Sequence, residues 1–121
     1  MTDMLKYKLT SETRNHCGRT LYRIQALIDF SNIDAGDFGG WIEIESNLNQ
    51  EGDCWVFDNA RVYDNAQVFG DARVFDNALV YGNAQVFGDA QVLGDEQVYD
   101  NANVLDNTKV FDNAKVFGAS K

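Results

Sequence analysis

The chain has 121 residues, a formal charge of −9 and a pI near 4.3. That length allows one domain, or a repeat body with a small cap. An acidic surface repels DNA, RNA and anionic lipid, which argues against direct nucleic-acid binding, and no apolar run approaches the length of a membrane span.

In chain order, the first ten residues are polar rather than signal-like. Residues 5–9 read as a short strand, and residues 11–18, which hold His16 and Cys17, as a polar turn. Residues 20–30 (TLYRIQALIDF) are rich in β-formers and put Tyr22, Ile24, Ala26 and Ile28 on one face, so a second strand pairing as a hairpin is expected. A helix over 22–30 is the alternative, since Arg23, Gln25, Ala26 and Leu27 are good helix formers. Residues 31–38 form a loop. Gly39-Gly40-Trp41 is a tight backbone spot before a short strand at 42–45, and Leu48 leads into the first coil. Residues 1–49 are thus an N-terminal cap, with Trp41 and the 22–28 face as material to plug the top of a stack. Cys17 and Cys54 lack CxxC spacing and have one histidine for company, which is poor material for zinc. A disulfide and two free thiols both stay open, free thiols being the default in the cytosol.

Residues 50–121 repeat a six-residue unit without a gap. Valine falls at 56, 62, 68, 74, 80, 86, 92, 98, 104, 110 and 116. Each is followed by Phe, Tyr or Leu, then Asp or Gly, then mostly Asn or Asp, then usually Ala, then a free position. Alternation along A-x-V-F sends Ala and Val inward and the free residue and aromatic outward. Asp/Gly before Asn/Asp is corner chemistry, because these residues tolerate the left-handed conformation. A strand and a corner every six residues make three sides per coil. Stacked every 18 residues, one face carries Tyr63, Tyr81, Tyr99 and Phe117, a second Phe57, Phe75, Leu93 and Phe111, and a third Phe69, Phe87 and Leu105. The expected body is a triangular all-β prism of parallel strands, four coils deep.

The unit V-[FYL]-[DG]-[ND]-A-x resembles the hexapeptide repeat of left-handed parallel β-helix proteins, and the left hand is implied by that resemblance. A second likeness covers residues 6–56. KYKLT at 6–10, LYRIQALIDF at 21–30, GDFGGWIE at 36–43 and LNQEGDCWV at 48–56 resemble the leader of a bacterial and phage group. Its members place this leader before a variable number of hexapeptide units and are mostly named as hypothetical or transferase-like. The likeness implies a prophage or mobile-element origin.

Many hexapeptide-repeat proteins are acyltransferases with a histidine base between the subunits of a trimer. Here residues 50–121 hold no histidine, and His16 reads as a solvated turn residue. Stacked carboxylates are a second candidate: Asp53, Asp71 and Asp89 form one corner column with Asn107 beneath, and Asp58 adjoins Asp76 on another. Such columns can recruit Ca²⁺, although corner carboxylates ordinarily satisfy turn backbone. Acidity belongs to the repeat, with twelve Asp/Glu against five Lys/Arg over 50–121 and seven against five over 1–49. Glu96 replaces an inward Ala, which marks a bulge, a partnered carboxylate or a site. Lys109, Lys115 and Lys121 occupy the free positions of the last three units, where they defend an open edge or line a dimer.

The sequence therefore points to a non-catalytic, acidic protein-interaction module. It would be phage or mobile-element encoded and cytoplasmic in the host cell. It would bind and inhibit a host protein, for example a basic nucleic-acid-directed defence enzyme, by competing with nucleic acid. Contacts are expected from Tyr63, Leu79, Tyr81, Tyr99, Asp58, Asp64, Asp76 and Asp100. A homodimer through the C-terminal coil would use Lys109, Lys115, Phe111 and Phe117. No cofactor and no metal are expected. The alternatives are a small hexapeptide-type acyltransferase and a structural self-associating module.

Overall fold

A computed structural model describes residues 5–92, 94, 97–99, 102–104, 109–110 and 115–117. The hexapeptide unit builds short strands: β1 (Tyr7–His16), β2 (Arg19–Ala26) and β3 (Phe38–Ile42) precede them, and a 3-10 turn at Glu45–Asn47 leads in. Then come β4 (Trp55–Val56), β5 (Arg61–Val62), β6 (Gln67–Val68), β7 (Arg73–Val74), β8 (Leu79–Val80), β9 (Gln85–Val86), β10 (Gln91–Val92), β11 (Gln97–Tyr99), β12 (Asn103–Val104), β13 (Lys109–Val110) and β14 (Lys115–Phe117). They sort into three parallel stacks, β4-β7-β10-β13, β5-β8-β11-β14 and β6-β9-β12. The body is a hexapeptide-repeat parallel β-solenoid. Valine pairs with valine 18 residues on, as in Val62 with Val80 and Val68 with Val86.

The alternation explains the core. Val56, Val62, Val68, Val74, Val80, Val86 and Val92 are fully buried, as are Ala60, Ala66, Ala72, Ala78, Ala84 and Ala90. Their small size lets three walls close on one axis. The second residue after each of these valines turns the corner in the left-handed region, as Asp58, Asp64, Gly70, Asp76, Gly82, Gly88 and Gly94 all do. Each wall is laddered to the coil below, for example Arg61 N–H to Ala78 O at 3.0 Å and Tyr63 N–H to Val80 O at 3.0 Å. Outward rings stack at the same period: Phe57 on Phe75 at 4.5 Å, Phe69 on Phe87 at 4.8 Å, Tyr63 on Tyr81 at 5.1 Å and Tyr81 on Tyr99 at 5.2 Å.

The coil count differs from four. Among the described residues three coils are complete, β4–β6, β7–β9 and β10–β12, with β13 and β14 opening the next. Coil-like pairing also begins earlier than the hexapeptide motif. Trp41 and Ile42 pair in parallel with Arg61 and Val62, and Leu48 bridges Val68. These offsets are 20 residues rather than 18, so no repeat search on Val and Ala would find them.

The leader is a hairpin, as expected, but its strands run differently. β1 extends through the polar residues to His16, because β2 supplies partners for its backbone. Cys17 and Gly18 make the two-residue turn with φ of 53° and 79°, the geometry that a tight hairpin needs. The third strand lies at 38–42 rather than 42–45. Trp41 does not plug the stack. It points outward, where Leu21 and Tyr63 pack against it and leave it 2% exposed. The top is closed instead by Tyr7, Ile24, Ala26 and Leu48 in the main core.

Candidate functional site

Strand order places β1 three positions from β5, yet their side chains touch. The hairpin therefore rolls over the outer face of the tyrosine wall. Register irregularities between Leu9 and Thr13 in β1, and between Arg23 and Gln25 in β2, permit that bend. At the tip, His16 Nε2 lies 3.3 Å from Tyr63 Oη, with the rings edge to face at 5.1 Å. Arg61 Nη1 donates to His16 Nδ1 at 3.1 Å. A guanidinium has no acceptor capacity, so Nδ1 carries the lone pair and Nε2 the proton. Burial first, and Arg61 second, lower the His16 pKa and hold the imidazole neutral. The expectation of a solvated turn histidine is thus corrected: His16 is half-buried and has two side-chain partners.

Around it stands a ring of charge. Arg19 donates to Glu43 at 2.8 Å and lies 3.3 Å from Asp64, while Glu43 Oε1 also accepts the Asp64 backbone N–H at 2.8 Å. Arg14 sits over the Trp41 ring at 4.6 Å and Arg23 at 5.1 Å, with Glu12 3.5 Å from Arg23. An open cleft lined by Cys17, Gly18, Arg19, Thr20, Tyr22, Glu43 and Ile44 borders the tip.

The expected contact residues divide. Tyr63 is 6% exposed under the hairpin, so it offers no free surface, and burial raises its phenol pKa to about 12. Asp64 is held by Arg19. Leu79 and Tyr81 are half-buried against the Leu21–Trp41–Tyr63 cluster, and Tyr99 is half-buried beneath. Asp58 and Asp76 are exposed and share one shallow corner groove with Asn59, Asn77 and Gly94. Corner carboxylates serve backbone: Asp71 accepts from Asp53 N–H at 3.3 Å and Asp76 from Gly94 N–H at 3.0 Å. Among the described residues no group of His, Cys, Asp and Glu is arranged to hold a metal ion. Lys109 lies on β13, and Lys115 and Phe117 on β14. Asp100, Phe111, Glu96, Asn107 and Lys121 lie outside the described residues. Cys17 and Cys54 are both free thiols, one exposed and one buried. No described helix is long and apolar enough to cross a membrane.

Sequence reasoning missed Arg14, Arg19, Arg61 and Glu43, and read Trp41 only as cap packing. Their only early signal was that three arginines, at 14, 19 and 23, fall within the hairpin of an acidic chain.

Residues 66–82 and 72–88 match the family described as YdcK Beta solenoid repeat. A relative from Escherichia coli strain K12, named Uncharacterized acetyltransferase YdcK, is 37% identical over 67 residues. That match takes in 49% of this chain and 21% of the relative, so the chain spans about a fifth of the curated relative's length. The expectation of a chain without catalytic activity is corrected by this similarity, since the relative is named as an acetyltransferase.

Proposed function

We propose that the chain is a solenoid protein of acetyl-transfer type, with the seam between the hairpin tip and the tyrosine wall as its reactive corner. The observation that supports this reading is the neutral His16 imidazole, held between Tyr63 and Arg61 at the hairpin tip. An acceptor hydroxyl or amine would replace Arg61 at Nδ1 and give its proton to that nitrogen. The acceptor atom bonds to the acetyl carbon of a thioester, the C–S bond breaks, and the leaving sulfur takes the proton from the imidazolium. Tyr63 keeps the ring oriented through Nε2. The test is release of free thiol from a small acetyl thioester, with hydroxylamine as acceptor. His16→Ala is expected to abolish release. A wild-type chain that releases no thiol above buffer, or an undiminished His16→Ala chain, rejects the reading.

A second reading is favoured by the exposed carboxylates of Asp58 and Asp76 on one corner. The repeat then offers an acidic surface to a basic host protein, as a mobile-element inhibitor of a nucleic-acid enzyme would. Salt-sensitive capture of such a partner should disappear in the Asp58→Lys/Asp76→Lys double variant. Retention of capture in that variant removes this corner from the interface.

A further inference from the structure

Two buried donors on the outer face of the tyrosine wall lack acceptors: Trp41 Nε1 and Arg61 Nε. They belong to residues that pair directly across β3 and β5, so their side chains leave the same face of adjacent strands. Native proteins rarely leave buried N–H groups unpaired, and an unpaired one points to an absent water or ion. The charge around them separates these two. Arg14 stacks on the Trp41 ring at 4.6 Å and has no ion-pair partner among the described residues. Among the described residues, Arg61 has only the neutral His16 as a side-chain hydrogen-bond partner. The neighbouring carboxylates are engaged elsewhere, Glu12 by Arg23, and Glu43 and Asp64 by Arg19. Arg61 feels Arg14 directly, since burial and then the Arg14 charge lower its pKa. A water would satisfy the orphan N–H groups but leave two like charges facing each other. An oxyanion satisfies both.

From this juxtaposition we infer that Trp41, Arg61 and Arg14 form a binding site for a small oxyanion, a phosphate or carboxylate group. Its oxygens accept from Trp41 Nε1 and Arg61 Nε, and the two guanidiniums neutralise it. The planar guanidinium fork suits both anions, which an ammonium would not match. Arg14 is exposed and forms the outer wall, so the ligand enters by moving one long side chain rather than the fold. The site lies beside His16, and its occupancy and thiol release are read separately, so the inference does not rest on acetyl transfer. An anion that draws Arg61 toward Trp41 would also loosen its hold on Nδ1.

The experiment follows the two indole N–H resonances of the full chain at low ionic strength, with inorganic phosphate in one titration and acetate in the other. Trp55 lies on β4, on another wall, and serves as the internal control. The Trp41 signal should shift saturably with at least one anion, while Trp55 stays in place. The anion that does so identifies a phosphate or a carboxylate ligand. Arg61→Lys keeps the charge but loses Nε and the fork, and should weaken binding about tenfold. Arg14→Ala, at an exposed position, should weaken it without harming the fold. A Trp41 signal unmoved by both anions would mean a buried water only and overturn the inference. So would binding as tight in both variants as in the wild type.

Discussion

The Tyr63 hydroxyl meets His16 Nε2 across 47 residues of sequence, at 3.3 Å. This contact fastens the hairpin tip to the first full coil. It also takes the top ring of the tyrosine ladder out of contact with solvent, since Tyr63 is covered from outside while Tyr81 stacks beneath it. The ladder therefore does two different jobs along its length. At the top it is packing for the cap, and lower down its rings are half-exposed wall.

If Tyr63 is packing, its loss must cost stability. Tyr63→Ala removes a ring held by Leu21, Trp41 and Tyr81 and should lower the unfolding free energy by about 3–5 kcal/mol. Tyr63→Phe keeps the ring and gives up one partly exposed hydrogen bond, at a cost of about 1 kcal/mol. Urea unfolding of the two variants measures both. Equal losses would show that the hydroxyl, not the ring, carries the contact.

Gly40 faces the axis where other coils place alanine. A Cβ there would meet Ala60 O at 2.6 Å and a Val56 methyl at 2.7 Å. The first of these is backbone and cannot swing aside. Gly40→Ala should therefore cost about 1–3 kcal/mol, toward the upper end, by forcing β3 away from β5. Gly36 is the steric control, since a Cβ there meets nothing within 4 Å, although its φ of 96° strains any side chain through the backbone alone. Thermal unfolding of Gly40→Ala and Gly36→Ala should rank them in that order.

His16 makes stability depend on pH in the acid direction. Its pKa is lowered in the folded chain, so the unfolded state binds the proton more readily. The contribution is present above the ordinary histidine pKa, about 6.5, and is lost as pH falls through the folded value. Protonation also sets an imidazolium against Arg61. The unfolding midpoint should drop between neutral pH and mildly acid pH in the wild type, and drop less in His16→Gln. Superimposable profiles would show that the loss comes from other groups.

Much of the solenoid was legible because a small set of residues does one thing at every turn. Val80 and Val98 must pair if Val62 and Val80 do, and Asp76 must turn the corner that Asp58 turns. The cap was half legible. Alternation in residues 20–26 marked a strand, but β1 beyond Leu9 is polar and gave no periodic sign. The candidate site was hardly legible at all. His16, Arg14 and Arg61 sit at positions where hydrophobic pattern says only that a side chain faces out.

By itself, then, the sequence determined the three-walled stack, its inward valines and alanines, its corners and its ladders of rings, because each follows from a period that any local stretch displays. The tertiary structure decided which of those outward residues meet solvent. The hairpin rolls over one wall, buries Trp41 and Tyr63, and gathers Arg14, His16 and Arg61 onto it. That choice depends on how two irregular strands bend, and on charges whose partners lie far apart along the chain. No six-residue period carries that information.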